Sequence, residues 1–312
     1  MTSSTGPDLR MVKGNLPAMA FPALIAANLL LAAGPWFVRI ADTGPIATGF
    51  WRMTIALPLL LLLAARETPW IAPPPRRVLA IVAIGGLFFA TDIASWHLGI
   101  VRTKLANATL FGNCSSLILP LAGIALTRIW PTRLQWIALG LALVGALLLM
   151  GGSYELSGAN LAGDLLCMLA GVFYVGYLLA VQSARRHLTS WSVLALSTLF
   201  SAPLLLFYAW IAGERIMPGD WTPLVALALT SQLLGQGLMV YAIVHFPPLI
   251  VGLVLLVQPA VAALIGWLSF GEHLSPLDLT GAAIIAAALV FIRAPGRNAA
   301  PHKGADGLKA GS

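Results

Sequence analysis

Ten apolar runs, each about 20 residues long, constrain this chain more than any other feature. A helix that crosses the hydrocarbon core of a bilayer needs about 20 mostly apolar residues. The runs cover residues 17–38, 44–64, 78–98, 104–126, 132–151, 160–182, 190–212, 221–243, 248–270 and 276–293. Open sheets are excluded in lipid, because unpaired backbone groups there are costly. The sequence therefore predicts an all-α integral membrane protein with ten transmembrane helices.

The composition agrees with a membrane environment. Only 9% of the 312 residues are charged and 59% are hydrophobic, whereas soluble domains carry about 25% charged residues. The net charge of +7 would suggest a nucleic-acid partner in a soluble protein. Here the basic residues lie between apolar runs, so we expect the lipid bilayer, and no nucleic acid, as the partner. Because nine runs follow the first, we expect it to be a retained helix rather than a signal peptide.

The distribution of Lys and Arg predicts the orientation. With a cytoplasmic N-terminus, the outside loops hold only Arg39, Arg102, Lys104 and Arg215. Arg52 lies within a run, and the remaining basic residues fall in cytoplasmic segments. Cytoplasmic loops carry the excess of Lys and Arg in membrane proteins. We therefore expect both termini, residues 1–16 and a disordered tail at 294–312, in the cytoplasm of a bacterial inner membrane.

The ten runs divide into two sets of five. A shift of 143 residues places Gly123 on Gly266 and Leu134 on Leu277. A unit of five spans ends on the side opposite its start, so a second copy inserts upside down. Residues 17–152 and 153–293 are therefore predicted to form two inverted five-helix repeats, an architecture of transporters with the binding site near the midplane.

Prolines interrupt the runs at comparable places. Pro58 and Pro203 lie in the second run of each half, and Pro120 and Pro259 lie in the fourth. Interrupted helices at corresponding positions point to a transport site, and we expect helix breaks at all four. The alternative is that proline is simply commoner in membrane helices than in soluble ones.

The segment "QPAVAALIGWLSFGEHLSPLDLTG", from Gln258 to Gly281, resembles the repeat signature of the drug/metabolite transporter superfamily, EamA-type branch. Pro259, Gly271-Glu272 and Gly281 match that signature, whereas the first half has Ser116 and Ile129 where the proline and glutamate would stand. The chain as a whole is similar to bacterial aromatic amino acid exporters of this superfamily. The resemblance implies an exporter of small organic solutes, with aromatic amino acids as the expected substrates.

Two charged residues, Arg52 and Asp92, are the candidates for positions deep within the apolar runs, where ionisable groups are usually paired or line water. At 1.5 Å per residue, Arg52 lies ~12 Å and Asp92 ~9 Å below the outer end of adjacent antiparallel spans. We predict an intramembrane ion pair between them. The alternatives are that each faces water or headgroups separately, or that Asp92 carries protons.

Polar and aromatic residues near the midplane are the candidate substrate-binding residues. They are Asn28, Trp36, Asn113, Tyr174, Tyr177, Gln232, Gln236 and Gln258, with Trp96 closer to the outer interface. Neutral amides and phenols offer donors for a carboxylate and acceptors for an ammonium group, and aromatic rings can stack on a side chain. We expect Asn113, Tyr174, Gln232 and Gln258 to touch the substrate. Each could instead join helices by hydrogen bonds, and Trp96 could be an interfacial anchor.

Motifs of other function classes are missing from the sequence. There is no HExxH, GxSxG, P-loop or Gly-rich dinucleotide turn, and the five His residues share no metal-ligand spacing. We expect no enzyme activity, no cofactor and no metal. The expected function is export of amino acids, aromatic ones in particular, by alternating access. The alternatives are a broader metabolite or drug exporter of the same superfamily, and a membrane receptor or scaffold that transports nothing.

Overall fold

The computed structural model describes residues 17–67, 74–103, 108, 111–128, 130–151, 161–270 and 276–293. Every regular element within these ranges is a helix. The predicted terminal segments 1–16 and 294–312 lie outside the described residues, as do Ile129 and the Gly271-Glu272 pair.

Six helices are described in the first half of the chain. They are α1 (Ala20–Ala32), α2 (Gly34–Ile40), α3 (Pro45–Glu67), α4 (Arg76–Ile100), α5 (Ser115–Thr127) and α6 (Arg133–Gly151). A one-residue turn at Ala33 separates α1 from α2, and Pro35 stands in the first turn of α2. Proline suits that place because the N–H that it lacks has no helical partner there.

The second half has a similar series with one unusual stretch. Its helices are α7 (Leu161–Ala184), α8 (Ser190–Ile211), α9 (Thr222–Leu227), a π-helix (Ala228–Gly235), α10 (Gln236–Ala242), a 3₁₀ turn (Ile243–His245), α11 (Pro248–Leu255), α12 (Val257–Phe270) and α13 (Pro276–Arg293). The π-helix, α9, α10 and the 3₁₀ turn together form one apolar stretch, Thr222–His245.

Among the described residues, seven helical stretches are long and apolar enough to cross a membrane. They are Ala20–Ile40, Pro45–Glu67, Arg76–Ile100, Leu161–Ala184, Ser190–Ile211, Thr222–His245 and Pro248–Ser269. Ser115–Leu126 and Arg133–Gly145 are apolar but shorter. The described residues thus form an all-helical, multi-span architecture, and the count of ten spans stays a prediction.

Most of the four prolines do not break a helix, and the observed breaks lie at other residues. Helices α3, α5 and α8 continue through Pro58, Pro120 and Pro203, so these three prolines do not end a helix. Membrane helices tolerate proline because neighbouring groups satisfy the freed carbonyls. The chain turns instead at Asn113 and Cys114, before α5, and at Leu256, before α12, where Pro259 follows in the first turn. The 143-residue shift places Asn113 on Leu256, so these two breaks are at equivalent positions.

The closest helix pairs join the two halves of the chain. Helix α3 packs on α8, α4 on α7, α5 on α11, α6 on α13 and α1 on α10. Small residues allow the close approach, as expected where lipid rather than water surrounds the helices. A side chain at Gly99 of α4 would meet the thiol of Cys167 in α7, and Ser201 of α8 donates to the carbonyl of Gly86 at 2.8 Å.

Candidate functional site

A cavity with polar and apolar walls lies between the two halves and is the candidate site. It encloses about 720 Å³ of empty space with its open mouth included. The first half contributes Leu31, Ala32, Pro35, Arg52, Asp92, Ile93, Trp96, Gly112, Asn113 and Ser115. The second half contributes Ala170, Gly171, Tyr174, Gln236, Leu255, Gln258 and Ala262.

The cavity lies where three helices are broken. The α1–α2 turn, the turn at Asn113 and the turn at Leu256 each have neighbouring residues in its wall. Broken helices expose backbone carbonyls and N–H groups, and in transporters they are placed at substrate sites for that reason. Asp92 and Trp96 belong to the last third of α4, so the cavity is displaced towards the end of the bundle that carries Ile40 and Ile100.

Five of the nine predicted substrate-binding residues line the cavity. They are Trp96, Asn113, Tyr174, Gln236 and Gln258. The other four, Asn28, Trp36, Tyr177 and Gln232, are not part of its wall. Of the four residues that we expected to touch substrate, Gln232 is therefore placed behind the wall, where its side chain is fully buried.

Gln232 holds Arg52 in position. Its side-chain oxygen accepts a hydrogen bond from Nε of Arg52 at 3.2 Å, and its Nε2 donates to Oγ1 of Thr198 at 2.9 Å. The guanidinium carbon of Arg52 also lies 6.0 Å from the ring centre of Phe89, within the range of a cation–π contact. Phe89 is in turn stacked on Tyr177, with ring centres 4.1 Å apart. Tyr177 thus supports Arg52 through Phe89 rather than facing the cavity.

Asp92 faces the same cavity as Arg52 without pairing with it. Both side chains are almost fully buried, with exposures of 7% and 2%. Both residues are described, and no nitrogen of Arg52 lies within 4.0 Å of an Asp92 oxygen. The predicted salt bridge is not formed in this conformation, because Nε of Arg52 is directed to Gln232. Among the described residues, the Asp92 carboxylate has no hydrogen-bond donor.

Asn28 supports Gln258 in the way that Gln232 supports Arg52. Asn28 is fully buried and donates to the carbonyl of Leu24 at 2.8 Å. Its Oδ1 accepts from Nε2 of Gln258 at 2.8 Å. This bond joins α1 to α12 across the two halves and fixes the amide of Gln258 at the cavity wall.

The π-helix separates two glutamines that the sequence places on one face. In an α-helix, Gln232 and Gln236 would be neighbours, because residues four apart share a face. The i→i+5 hydrogen bonds of Ala228–Gly235 widen the turn and change this register. Gln232 consequently reaches Arg52 and Thr198, whereas Gln236 lines the cavity. π-Helical turns of this kind are frequent at functional sites.

Unpartnered polar atoms remain at the cavity wall. The hydroxyl of Tyr174 and Oε1 of Gln236 are buried and have no hydrogen-bond partner among the described residues. Tyr174 also lies 6.0 Å from Tyr177, ring centre to ring centre. Buried polar groups are nearly always hydrogen-bonded, so these two atoms would accept hydrogen bonds from a ligand once a shift of the wall exposes them. Trp36, in contrast, packs edge-on against Phe37 at 4.9 Å, away from the wall.

Sequence reasoning missed the small residues of the wall. Gly112 and Gly171 allow neighbouring groups to pack closely: a β-carbon at Gly112 would lie 3.2 Å from Nε1 of Trp96, and one at Gly171 would collide with the Cys114 thiol. Ser115, which donates to the carbonyl of Gly112 at 3.3 Å, also faces the cavity. A glycine or serine in an apolar run carries no distinctive signal. In the described ranges, no group of three or more His, Cys, Asp or Glu side chains could hold a metal ion.

Comparison with known families identifies the class of protein. The model of the EamA-like transporter family matches the chain twice, over residues 18–151 and 161–294. The chain belongs to this family of membrane transporters.

Curated relatives agree with the family. The chain is 30% identical over 253 residues to the threonine/homoserine exporter RhtA of Escherichia coli (strain K12), covering 78% of this chain and 81% of that protein. It is 26% identical over 286 residues to the uncharacterized inner membrane transporter YedA of the same strain, covering 87% and 90%. One solved crystal structure has the same fold, with a TM-score of 0.72 at 17% identity, over 88% of this chain and 96% of that one.

Proposed function

We propose that this protein exports amino acids across the bacterial inner membrane by alternating access. Ten spans, arranged as two inverted five-helix repeats over residues 17–152 and 153–293, would carry the cavity, with both termini in the cytoplasm. The observation that carries the proposal is the cavity itself. Both halves build it, three helix breaks border it, and uncharged hydrogen-bonding groups stand beside aromatic rings in its wall.

Three features support the inverted repeat. The family model matches each half separately. The break before α5 and the break before α12 occupy equivalent positions. The principal helix pairs join one half to the other. Two halves that pack across a central cavity are the arrangement in which rocking of one half against the other moves access from one side to the other.

The chemistry of the wall suits an amino acid. Tyr174 and Gln236 offer unpartnered oxygens, and the amides of Asn113 and Gln258 face the same space. A zwitterion needs both donors and acceptors within a few ångströms. The relative RhtA is named as an exporter of threonine and homoserine, which favours amino acids over other metabolites.

Two classes of amino acid side chain are candidates for the preferred substrate. Trp96 and Tyr174 place aromatic surface on the cavity, and stacking on such rings contributes about 0.5–1.5 kcal/mol beyond burial. This favours aromatic amino acids. The similarity to RhtA favours small hydroxyl-bearing ones.

Efflux from cells tests the proposal. Cells that express the chain are loaded with labelled Phe, Trp, Thr or homoserine, and the rate of release is compared with cells carrying the empty vector. Faster release of any of the four supports amino acid export, and the ranking decides between the candidates. The variant Trp96→Ala should slow release of Phe and Trp more than release of Thr. If release of all four equals the vector control and release of a non-amino-acid solute is faster, the result would contradict amino acid export and favour a broader metabolite exporter.

A further inference from the structure

Arg52 and Asp92, which carry opposite charges when ionised, both stand in the cavity wall without forming a salt bridge with each other. Arg52 and Asp92 are both more than nine-tenths buried and both line the cavity. Charged groups within membrane spans usually pair with one another or with a ligand. A ligand that carries both charges would satisfy the two side chains at the same time.

Arg52 is prepared to bind a carboxylate. Its Nε donates to Gln232, and its guanidinium carbon lies over the ring of Phe89, so these two residues set the direction of the group. Within the described part of the chain, its two terminal nitrogens donate to no protein atom. The planar guanidinium binds carboxylates through two parallel hydrogen bonds, which is the geometry that two free terminal nitrogens offer.

Asp92 is prepared to bind an ammonium group. Its carboxylate is an acceptor without a donor in the described residues. Gln236 and Tyr174 line the same cavity, and among the described residues Oε1 of Gln236 and the Tyr174 hydroxyl have no hydrogen-bond partner. An ammonium group has three donors and no acceptor, so a carboxylate with additional oxygens nearby matches it.

We propose that Asp92 binds the ammonium group and Arg52 the carboxylate group of one amino acid in the cavity, and that these two residues restrict the substrates to zwitterions. Gln232 is then a positioning residue for Arg52. This assignment rests on the proposed function and names the part of the substrate that the site recognises.

The first test uses the unaltered protein. Purified protein is reconstituted in liposomes preloaded with Phe, and the entry of labelled Phe is measured by counterflow against three competitors. These are Phe, phenethylamine, which lacks the carboxylate, and 3-phenylpropionate, which lacks the ammonium group. Because hydrogen bonds to charged groups are strong, each analogue should compete at least about 10-fold less well than Phe.

The second test uses matched carboxylate variants. Asp92→Asn should lower the apparent affinity for Phe at least about 10-fold and leave competition by 3-phenylpropionate nearly unchanged. The variant would then no longer prefer a ligand that carries an ammonium group. Asp92→Glu should restore part of this preference. Asp164→Asn is the matched control, because Asp164 is a buried carboxylate of α7 that accepts from Thr103 at 2.6 Å and is not in the cavity wall. It should keep the preference.

The outcomes separate the two proposals. If the unaltered protein moves no amino acid, the proposed function fails. If it moves Phe but both analogues compete as well as Phe, or if Asp92→Asn keeps the full preference for Phe, the assignment of Asp92 and Arg52 is overturned while the proposed function stands. Should the Asp92 variants fail to insert, the competition measured on the unaltered protein decides.

Discussion

The side chain of Glu214 accepts a hydrogen bond from the backbone N–H of Ala47 at 2.8 Å, which ties the end of α8 to the first turn of α3. Glu67, the last residue of α3, accepts in the same way from the N–H of Trp191 in the first turn of α8, at 3.2 Å. The two antiparallel helices are thus joined at both ends by reciprocal carboxylate caps. Each is the second span of its half, so the relation is the one that two inverted copies would produce.

Removing the charge from either cap should destabilise the protein by different amounts. A carboxylate at a helix N-terminus contributes about 0.3–1 kcal/mol. Glu214→Gln should cost towards the upper end of that range, because its bond is the shorter and is partly buried. Glu67→Gln should cost less, because its bond is longer and exposed. Thermal unfolding in detergent measures both.

Neither glutamate lines the cavity, so the apparent affinity for substrate should stay unchanged in both variants. Gly44→Ala tests the same cap from the side of α3. Its new side chain would collide with the Glu214 carboxylate, so this variant should also be less stable. A larger loss of stability from Glu67→Gln than from Glu214→Gln would contradict this view of the caps.

Gln232→Glu should impair transport without unfolding the protein. The substitution keeps the shape of the side chain but places a carboxylate 3.2 Å from Nε of Arg52, which neutralises the guanidinium within the protein. Apparent affinity for a carboxylate-bearing substrate should fall about 10-fold or more, since bonds to charged groups contribute about 1.5–3 kcal/mol. Counterflow in liposomes measures it.

Thr198→Val is the control for this substitution, because it removes the hydroxyl that orients Gln232 and adds no charge. It should lower the affinity less than Gln232→Glu does. Normal affinity in the Gln232→Glu variant would show that Arg52 does not meet the substrate carboxylate.

Part of this site could be predicted from the sequence, and the limit has a physical reason. The rise of a helix gives depth, which predicts similar levels for Arg52 and Asp92, and both line one cavity. It gives no rotation about the helix axis, so it did not show that Arg52 would turn to Gln232.

The same limit applies to Asn28, which has the depth of a cavity residue but lies behind Gln258. The π-helix adds a further source of error. The residues of Ala228–Gly235 do not indicate a π-helix, yet with this helix in place Gln236 lines the cavity and Gln232 does not. The helical class and the apolar stretches, in contrast, follow directly from hydropathy.

Gly99→Ala should destabilise the contact between α4 and α7. A β-carbon there would meet the Cys167 thiol and would lie 3.0 Å from the carbonyl oxygen of Gly163. Added atoms in a close-packed interface cost about 1–3 kcal/mol. Thermal unfolding in detergent measures the loss.

Gly140→Ala is the matched control, because a β-carbon at Gly140 of α6 meets no atom of the described residues within 4 Å. Alanine favours a helix over glycine by about 0.8–1.0 kcal/mol, so this variant should be as stable as the parent or more so. Equal losses from the two substitutions would show that close packing at Gly99 does not limit stability.

Thiol labelling on intact cells tests the predicted orientation. Met217, 61% exposed between α8 and α9, should be external, and His187, exposed between α7 and α8, should be cytoplasmic. Met217→Cys should react with an impermeant thiol reagent on intact cells, and His187→Cys only after permeabilisation. The parent chain supplies the background, since Cys167 is buried and Cys114 half-buried. Labelling of His187→Cys but not Met217→Cys on intact cells would reverse the orientation.

Transport by the purified protein tests the central claim most directly. Liposomes containing the protein are preloaded with an unlabelled amino acid, and entry of the same labelled amino acid is followed for Phe, Trp, Thr and homoserine. Amino acid transport through the cavity between the two halves predicts entry above that of protein-free liposomes for at least one of the four, and a reduced rate in the Arg52→Gln variant. Entry indistinguishable from protein-free liposomes for all four amino acids would contradict it.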